Sequence, residues 1–324
     1  MMHKKKLNYF YHPTTTVFLD DNHRFLQTLT LNLGNDVLCR TFNDPRQALM
    51  AVHQPVPKAG HRHSATMESP VRDALFNLPK SLGDQRFQHV SVVVVDYEMP
   101  AMDGITFCQQ IQDPHVKKIL LTGVADEKVA IRALNNRLID YYIHKSESAL
   151  IERLLAAIQQ LQTDYFQGLL SRLHQPAELA FMHDPVFMDY FQSICEQNQV
   201  AEYYFMDNPL GFLLIDTNGQ AKVLLVFTDG EMEAHQEVAS SEGAPDELLQ
   251  KLQSGDFLPY FSDDSSFLYK RSLGDAEAYL HPATCLQGSQ PYYCALVDAP
   301  DISTLLPGYA ALLDAYQNRQ GEAQ

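Results

Sequence analysis

The sequence predicts an α/β fold, a doubly wound parallel sheet, followed by a smaller α+β domain with an antiparallel sheet. Three observations carry this. Val92 to Val95 are consecutive valines, apolar at every position rather than every second one, as in a strand covered by helices on both faces. Short apolar strands alternate with helical patterns along the first half of the chain, which is the signature of parallel β-α-β units. Several of those strands stop at a charged or hydroxyl side chain, and in an open parallel sheet such strand ends share one crevice.

Taken in order, Val17-Phe18-Leu19 reads as the first strand and ends at Asp20-Asp21. Phe25, Leu26, Leu29 and Leu33 then recur at helical spacing, with Gly34 as the stop. Val37 to Phe42 reads as strand two. Asn43 or Asp44 can cap the next helix, which has Pro45 in its first turn and Ala48, Leu49 and Val52 inward. Residues 53–89 lose the pattern in a Pro-, Gly-, His- and Ser-rich stretch and read as an insertion. His53, His61, His63 and His89 stand there without a cysteine, so a solvated insertion is expected rather than a zinc site. Strand three covers 90–95. Pro100 and Gly104 break the chain before a helix over 105–112. Strand four (118–121) closes at Thr122, a helix covers 126–134, and strand five (141–144) ends at Lys145. A long helix starts near Ser148.

Asp20, Asp21 and Asp96 would converge at the carboxyl ends of their strands. At about 4 Å and an effective dielectric near 20, each close pair of carboxylates repels by about 4 kcal/mol. A hard divalent cation with oxygen ligands relieves this, and Mg²⁺ fits best. Lys145 and the Thr122 hydroxyl then offer a charge and a donor to an incoming anionic group.

With these residues in place, 15–160 resembles the receiver domain of bacterial response regulators. The likeness rests on Asp20-Asp21, the D-x-x-M-P-x-M-D-G run from Asp96 to Gly104, Thr122, Lys145, and Tyr142 three residues before that lysine. The resemblance implies a flavodoxin-like five-stranded sheet and a phosphoacceptor role for Asp96, served by a histidine kinase or phosphotransfer protein. It also implies Mg²⁺ held by Asp21, Asp96 and the backbone carbonyl of Glu98, with Asp20 supporting the metal's waters. Thr122 and Tyr142 would be the switch pair and Lys145 the phosphoryl contact. Two departures stand out: Ser146 follows the lysine where the family usually has proline, and the insertion at 53–89 separates helix two from strand three.

The expected division is a receiver over 1–147, a connector helix over 148–174 and an output domain over 175–324. On the connector, Ile151, Leu154, Ile158, Leu161 and Tyr165 recur at coiled-coil spacing. Leu154, Ile158, Leu161 and Tyr165 are therefore expected as a homodimer or coupling seam, because the receiver sheet should end near Gln160. In the second half, Gly211 to Asp216 and Ala221 to Phe227 flank an Asn218-Gly219 turn, a strong hairpin signal.

Charge separates the halves. Residues 1–174 carry 19 Lys/Arg and 17 Asp/Glu, giving +2, while residues 175–324 carry 5 and 23, giving −18; together these make the net −16. Such an acidic segment is a poor partner for DNA, whose affinity comes from cations that neutralise phosphates. Its partner is expected to be an unidentified protein or ligand. No apolar run approaches a bilayer span, and five cysteines without a C-x-x-C pair suggest reduced thiols, so a cytoplasmic protein is expected. The expected function is phosphorylation-dependent signalling. The alternatives are a receiver-gated enzyme or a PAS-like small-ligand sensor in the second domain, although no catalytic constellation is legible there.

Overall fold

The computed structural model describes residues 7–34, 37–54, 83–123, 127–170, 177–206, 209–261, 269 and 279–299. The chain divides into two compact units.

The first unit runs from His12 to the end of the long helix. It contains β2 (Thr15–Leu19), α1 (His23–Leu33), β3 (Cys39–Phe42), α2 (Pro45–Val52), β4 (Val90–Asp96), α3 (Gly104–Gln110), β5 (Lys117–Thr122), α4 (Glu127–Asn135), β6 (Tyr141–His144) and α5 (Leu150–Leu170). All its strands are parallel, in the order β3-β2-β4-β5-β6, which is doubly wound and flavodoxin-like. The valine run makes every residue of β4 buried, as a central strand requires. Phe18, Val92, Val94, Ile119, Leu121 and Ile143 pack with Leu26, Leu29 and Leu33 of α1 and with the inner face of α5. Side chains set the helix starts. Asn22, Asp44 and Asp103 each accept a hydrogen bond from a backbone N–H two or three residues on, meeting donors that the first turn leaves open. Gly34, at φ +53°, stops α1.

Helix α5 departs from expectation. The described helix is Leu150–Leu170, against the expected 148–174, of which 171–174 lie outside the described residues, and Leu154, Ile158, Leu161 and Tyr165 are all buried inside this one unit. Past the end of the sheet, residues just before β2 and β4 cover the helix. The Tyr165 hydroxyl lies 2.6 Å from His89 Nε2, Phe166 meets the His12 ring edge-on, and Gln162 donates to the Thr14 carbonyl. The seam expected of a homodimer is thus the inner wall of the receiver. The periodicity was sound, but segments distant in sequence supply its partner. Of the histidines considered for zinc, His61 and His63 lie outside the described residues, while His53 accepts a hydrogen bond from Gln112 N–H and His89 serves Tyr165.

The second unit combines the residues before His12 with the second half of the chain. Strand β1 (Phe10–Tyr11) does not join the receiver, although the receiver was expected to start at residue 1. It pairs antiparallel with β7 (Val200–Met206), Phe10 opposite Tyr204 and Tyr11 opposite Tyr203, with both ring pairs stacked. Tyr9 O accepts from Phe205 N–H at 2.7 Å. After α6 (Pro185–Gln197) and β7 come β8 (Gly211–Asp216), β9 (Ala221–Phe227), α7 (Asp229–Ser241), α8 (Asp246–Ser254), β10 (Phe257–Pro259), β11 (Leu280–Pro282), β12 (Thr284–Gln287) and β13 (Pro291–Asp298). The main sheet has the order β1-β7-β8-β9-β13-β12 and is antiparallel throughout; β10 and β11 form a separate pair. The expected Asn-Gly hairpin is β8–β9, tightened by Asp216, whose Oδ1 accepts from both Asn218 and Gln220 N–H. Phe181, Phe187, Phe191, Phe212 and Tyr292 form an aromatic core beneath α6.

Candidate functional site

Strand β2 is followed in sequence by β3 on one side and by β4 on the other, so the winding reverses between β2 and β4. Side chains at the carboxyl ends of those two strands face the crevice where open α/β sheets place their ligands. Asp20 and Asp21 follow β2, and Asp96 closes β4. The three offer carboxylate oxygens within 4.8 Å of one another, with Asp20 and Asp96 buried and Asp21 exposed. Lys145, directly after β6, reaches into the same place. Its Nζ lies 2.7 Å from Asp20 Oδ2 and 2.8 Å from Asp96 Oδ1. The Phe25 ring of α1 sits 4.9 Å from that ammonium, a cation–π contact that guides the lysine inward.

The surrounding backbone holds these groups in place. Asn22 N–H donates to Asp20 Oδ1 at 2.8 Å, fixing one oxygen while Lys145 takes the other. Gly104 opens α3 where a Cβ would stand 2.4 Å from the Asp96 carbonyl oxygen and 2.9 Å from Leu120 Cδ1. Only glycine lets α3 approach the end of β4 this closely. Gly104 N–H also donates to the Tyr97 carbonyl, closing the loop that carries exposed Glu98.

The two partners of the central ion pair respond differently to burial. Burial raises the Asp96 pKa, and the charges of Asp20 and Asp21 add to the rise, against the hydrogen bond and charge of Lys145. Burial alone would lower Lys145, but its hydrogen bonds to Asp20 and Asp96 outweigh this and hold its pKa above the ordinary value. The difference follows the surrounding charges: Asp96 has two like-charged neighbours and one cation, whereas Lys145 faces two carboxylates. The ammonium is thus firmly charged, while Asp96 is a carboxylate under electrostatic pressure that a further cation would relieve.

Thr122, fully buried at the end of β5, lies on the next strand to Asp96. Its hydroxyl lies 3.2 Å from His144 Nδ1, opposite it in the β5–β6 ladder. Tyr142 is half-buried and meets the His144 ring edge-on at 6.0 Å. The structure therefore gathers Asp20, Asp21, Asp96 and Lys145 at one point, with Thr122 and Tyr142 linked through His144 alongside. Leu154, Ile158, Leu161 and Tyr165 are core residues elsewhere. Reading the sequence element by element missed His144 and Phe25 as parts of this neighbourhood, and took Gly104 as a turn residue without its close approach to Asp96. The one available signal was His144 standing next to Lys145 at a strand end.

This architecture is found in known proteins. Residues 71–159 match the model of the response regulator receiver domain. The chain is similar over 97% of its length, and over 97% of the other chain, to the Legionella pneumophila response regulator LqsR, with 30% identity and a TM-score of 0.77. This chain is a response regulator. Over about half its length the regulator is also similar to a response regulator receiver domain protein from Clostridium thermocellum (21% identity, 48% of this chain and 98% of that one, TM-score 0.33). A structure described as an adenylate cyclase from Rhodopirellula baltica is comparable (22% identity, 49% and 98%, TM-score 0.36). No curated protein sequence matches the regulator.

The acidic site of the regulator suits Mg²⁺ by its chemistry. Its ligand atoms are hard carboxylate oxygens from three residues, close enough to share one ion, and no soft thiolate or imidazole stands among them.

Proposed function

We propose that Asp96 accepts a phosphoryl group from the phosphohistidine of a histidine kinase or phosphotransfer protein, and that the second unit reports its state. The observation that carries this reading is the convergence of Asp20, Asp21, Asp96 and Lys145 at the winding reversal of a receiver sheet.

In the transfer, an Asp96 carboxylate oxygen bonds to phosphorus while the phosphorus–nitrogen bond to the donor breaks. The electron pair leaves with the imidazole, which takes up a proton. Mg²⁺, when bound by Asp21, Asp96 and the Glu98 carbonyl with Asp20 behind its waters, supplies charge that neutralises the phosphoryl oxygens. Lys145 supplies the chain's own positive charge at the acceptor, and the Thr122 hydroxyl supplies a donor beside it. Tyr142, on the neighbouring edge strand β6, follows Thr122 and carries the change to the surface of α4, β6 and α5.

The acidic character of 175–324 supports a protein or small-ligand partner for the second unit in place of DNA. No described helix is long and apolar enough to cross a membrane. We place the regulator in the cytoplasm, where kinases present their phosphohistidine. The test is incubation with a small acyl phosphate and Mg²⁺. One base-labile, acid-stable phosphoryl group should appear on the wild type and none on Asp96→Asn. Equal labelling of the variant would end this reading.

A further inference from the structure

We infer that His144 is a positioning residue that ties the Thr122 hydroxyl in its resting orientation and so sets the threshold for phosphorylation, an inference that rests on Asp96 being the acceptor. The parallel β5–β6 register places Thr122 directly opposite His144, and their side chains meet on one face, Oγ1 to Nδ1 at 3.2 Å. A threonine hydroxyl has one proton. Phosphoryl oxygens accept hydrogen bonds, so Thr122 serves a phosphoryl group only by donating that proton to it. With the His144 ring as the Nε2–H tautomer, Nδ1 is the acceptor and the proton is already committed. Phosphorylation then requires an exchange of one hydrogen bond for another.

The surroundings make this exchange measurable. Thr122 is completely buried, so water cannot stand in for a lost partner in the resting state. Tyr142 packs edge-on against the ring, and the backbone that carries it is fixed by the His144 N–H, which donates to Glu147 Oε1 at 3.3 Å. Glu147 is in turn paired with Arg153 at 2.6 Å. His144 itself is only half-buried, so water can satisfy Nδ1 once Thr122 has turned away. Resting Thr122 is thus tethered, and releasing it costs about one net hydrogen bond.

Two measurements on the full chain test the inference. In the metal-free protein, the His144 ring nitrogen shifts should report the Nε2–H tautomer with Nδ1 accepting, and Thr122→Val should move the Nδ1 signal. A ring protonated at Nδ1 in its neutral form would overturn the inference. Second, beryllofluoride with Mg²⁺ serves as the phosphoryl mimic. His144→Leu should lower its half-saturation about two- to tenfold, the equivalent of one ordinary hydrogen bond. His144→Asn, whose side-chain oxygen can accept in place of Nδ1, should return it towards wild type. In a Thr122→Val background the His144→Leu effect should vanish, because the ring acts through that hydroxyl. An unchanged half-saturation in His144→Leu, or an equal shift in the Thr122→Val background, overturns the role of His144 alone. A wild type that does not respond to beryllofluoride overturns the acceptor reading and this inference with it.

Discussion

Replacing Lys145 with alanine would leave two buried carboxylates without their counter-ion, and the structure sets the size of the effect. The ammonium lies 2.7 Å from Asp20 and 2.8 Å from Asp96, whose side chains are 1% and 8% exposed. At an effective dielectric near 20 each contact carries a gross attraction of about 6 kcal/mol, most of it offset by the cost of burying the charges. Removing one partner of a buried pair typically costs about 3–5 kcal/mol, because the other charge stays behind. The lysine is 27% exposed, so solvent screens part of its charge and the cost falls below that range, to about 2–3 kcal/mol. For a unit of this size that corresponds to a fall in melting temperature of roughly 4–12 °C. Mg²⁺ should then rescue the variant. In the wild type the proposed metal would compete with Lys145 for Asp96, whereas in Lys145→Ala it would meet uncompensated oxygens. At about a hundred times its dissociation constant a ligand stabilises by about 2.7 kcal/mol, enough to restore the loss. Differential scanning calorimetry of both proteins, in EDTA and across a Mg²⁺ series, measures these quantities. Melting of the variant within a degree of wild type in EDTA would refute the reasoning. So would a Mg²⁺ gain no larger than that of the wild type.

Four further outcomes are expected. The folded pKa of Asp96 is raised, so its contribution to stability is complete below the ordinary carboxylate pKa and is lost as pH rises through the raised value. Asp96→Asn should therefore melt above wild type at pH 7, and the gap should close as the pH falls through the carboxylate range; a gap independent of pH would exclude titration of Asp96 as its source. Gly104→Ala forces a Cβ to within 2.4 Å of the Asp96 carbonyl oxygen, so it should destabilise the receiver by about 1–3 kcal/mol and slow acyl-phosphate labelling. Tyr165→Ala should cost about 3–5 kcal/mol, as aromatic truncations in cores do, and leave the sedimentation coefficient of the folded protein at the wild-type value. Deleting residues 1–11 removes β1 from the edge of β7, which should lower the melting of the second unit while the receiver still labels at Asp96.

Local rules determined a large part of this protein from sequence alone. A run of valines is buried on both faces wherever it is placed, and strand–helix alternation leaves little choice but a parallel sheet. Asp20, Asp96 and Lys145 stand at strand ends, and a parallel sheet sends all its strand ends to one side, so their meeting was legible in the sequence. The Asn218-Gly219 hairpin was legible for the same kind of reason, since the turn dictates its own conformation. What the tertiary structure alone decided depends on pairings between distant segments. The stripe on α5 announces that Leu161 and Tyr165 will be buried, but not by what. His89 and the residues around His12 cover it, where a second chain or a coupling contact to the output domain had been expected. The aromatic residues Tyr9 to Tyr11 read as a short apolar segment; only the open edge of β7, some two hundred residues later, makes them a strand of the other unit. The partner of the Thr122 hydroxyl was set by the β5–β6 register, and a shift of one residue would have turned His144 to the opposite face. Periodicity tells which side of an element is apolar. Which segment meets it is settled by the competition among all the faces of the folded chain.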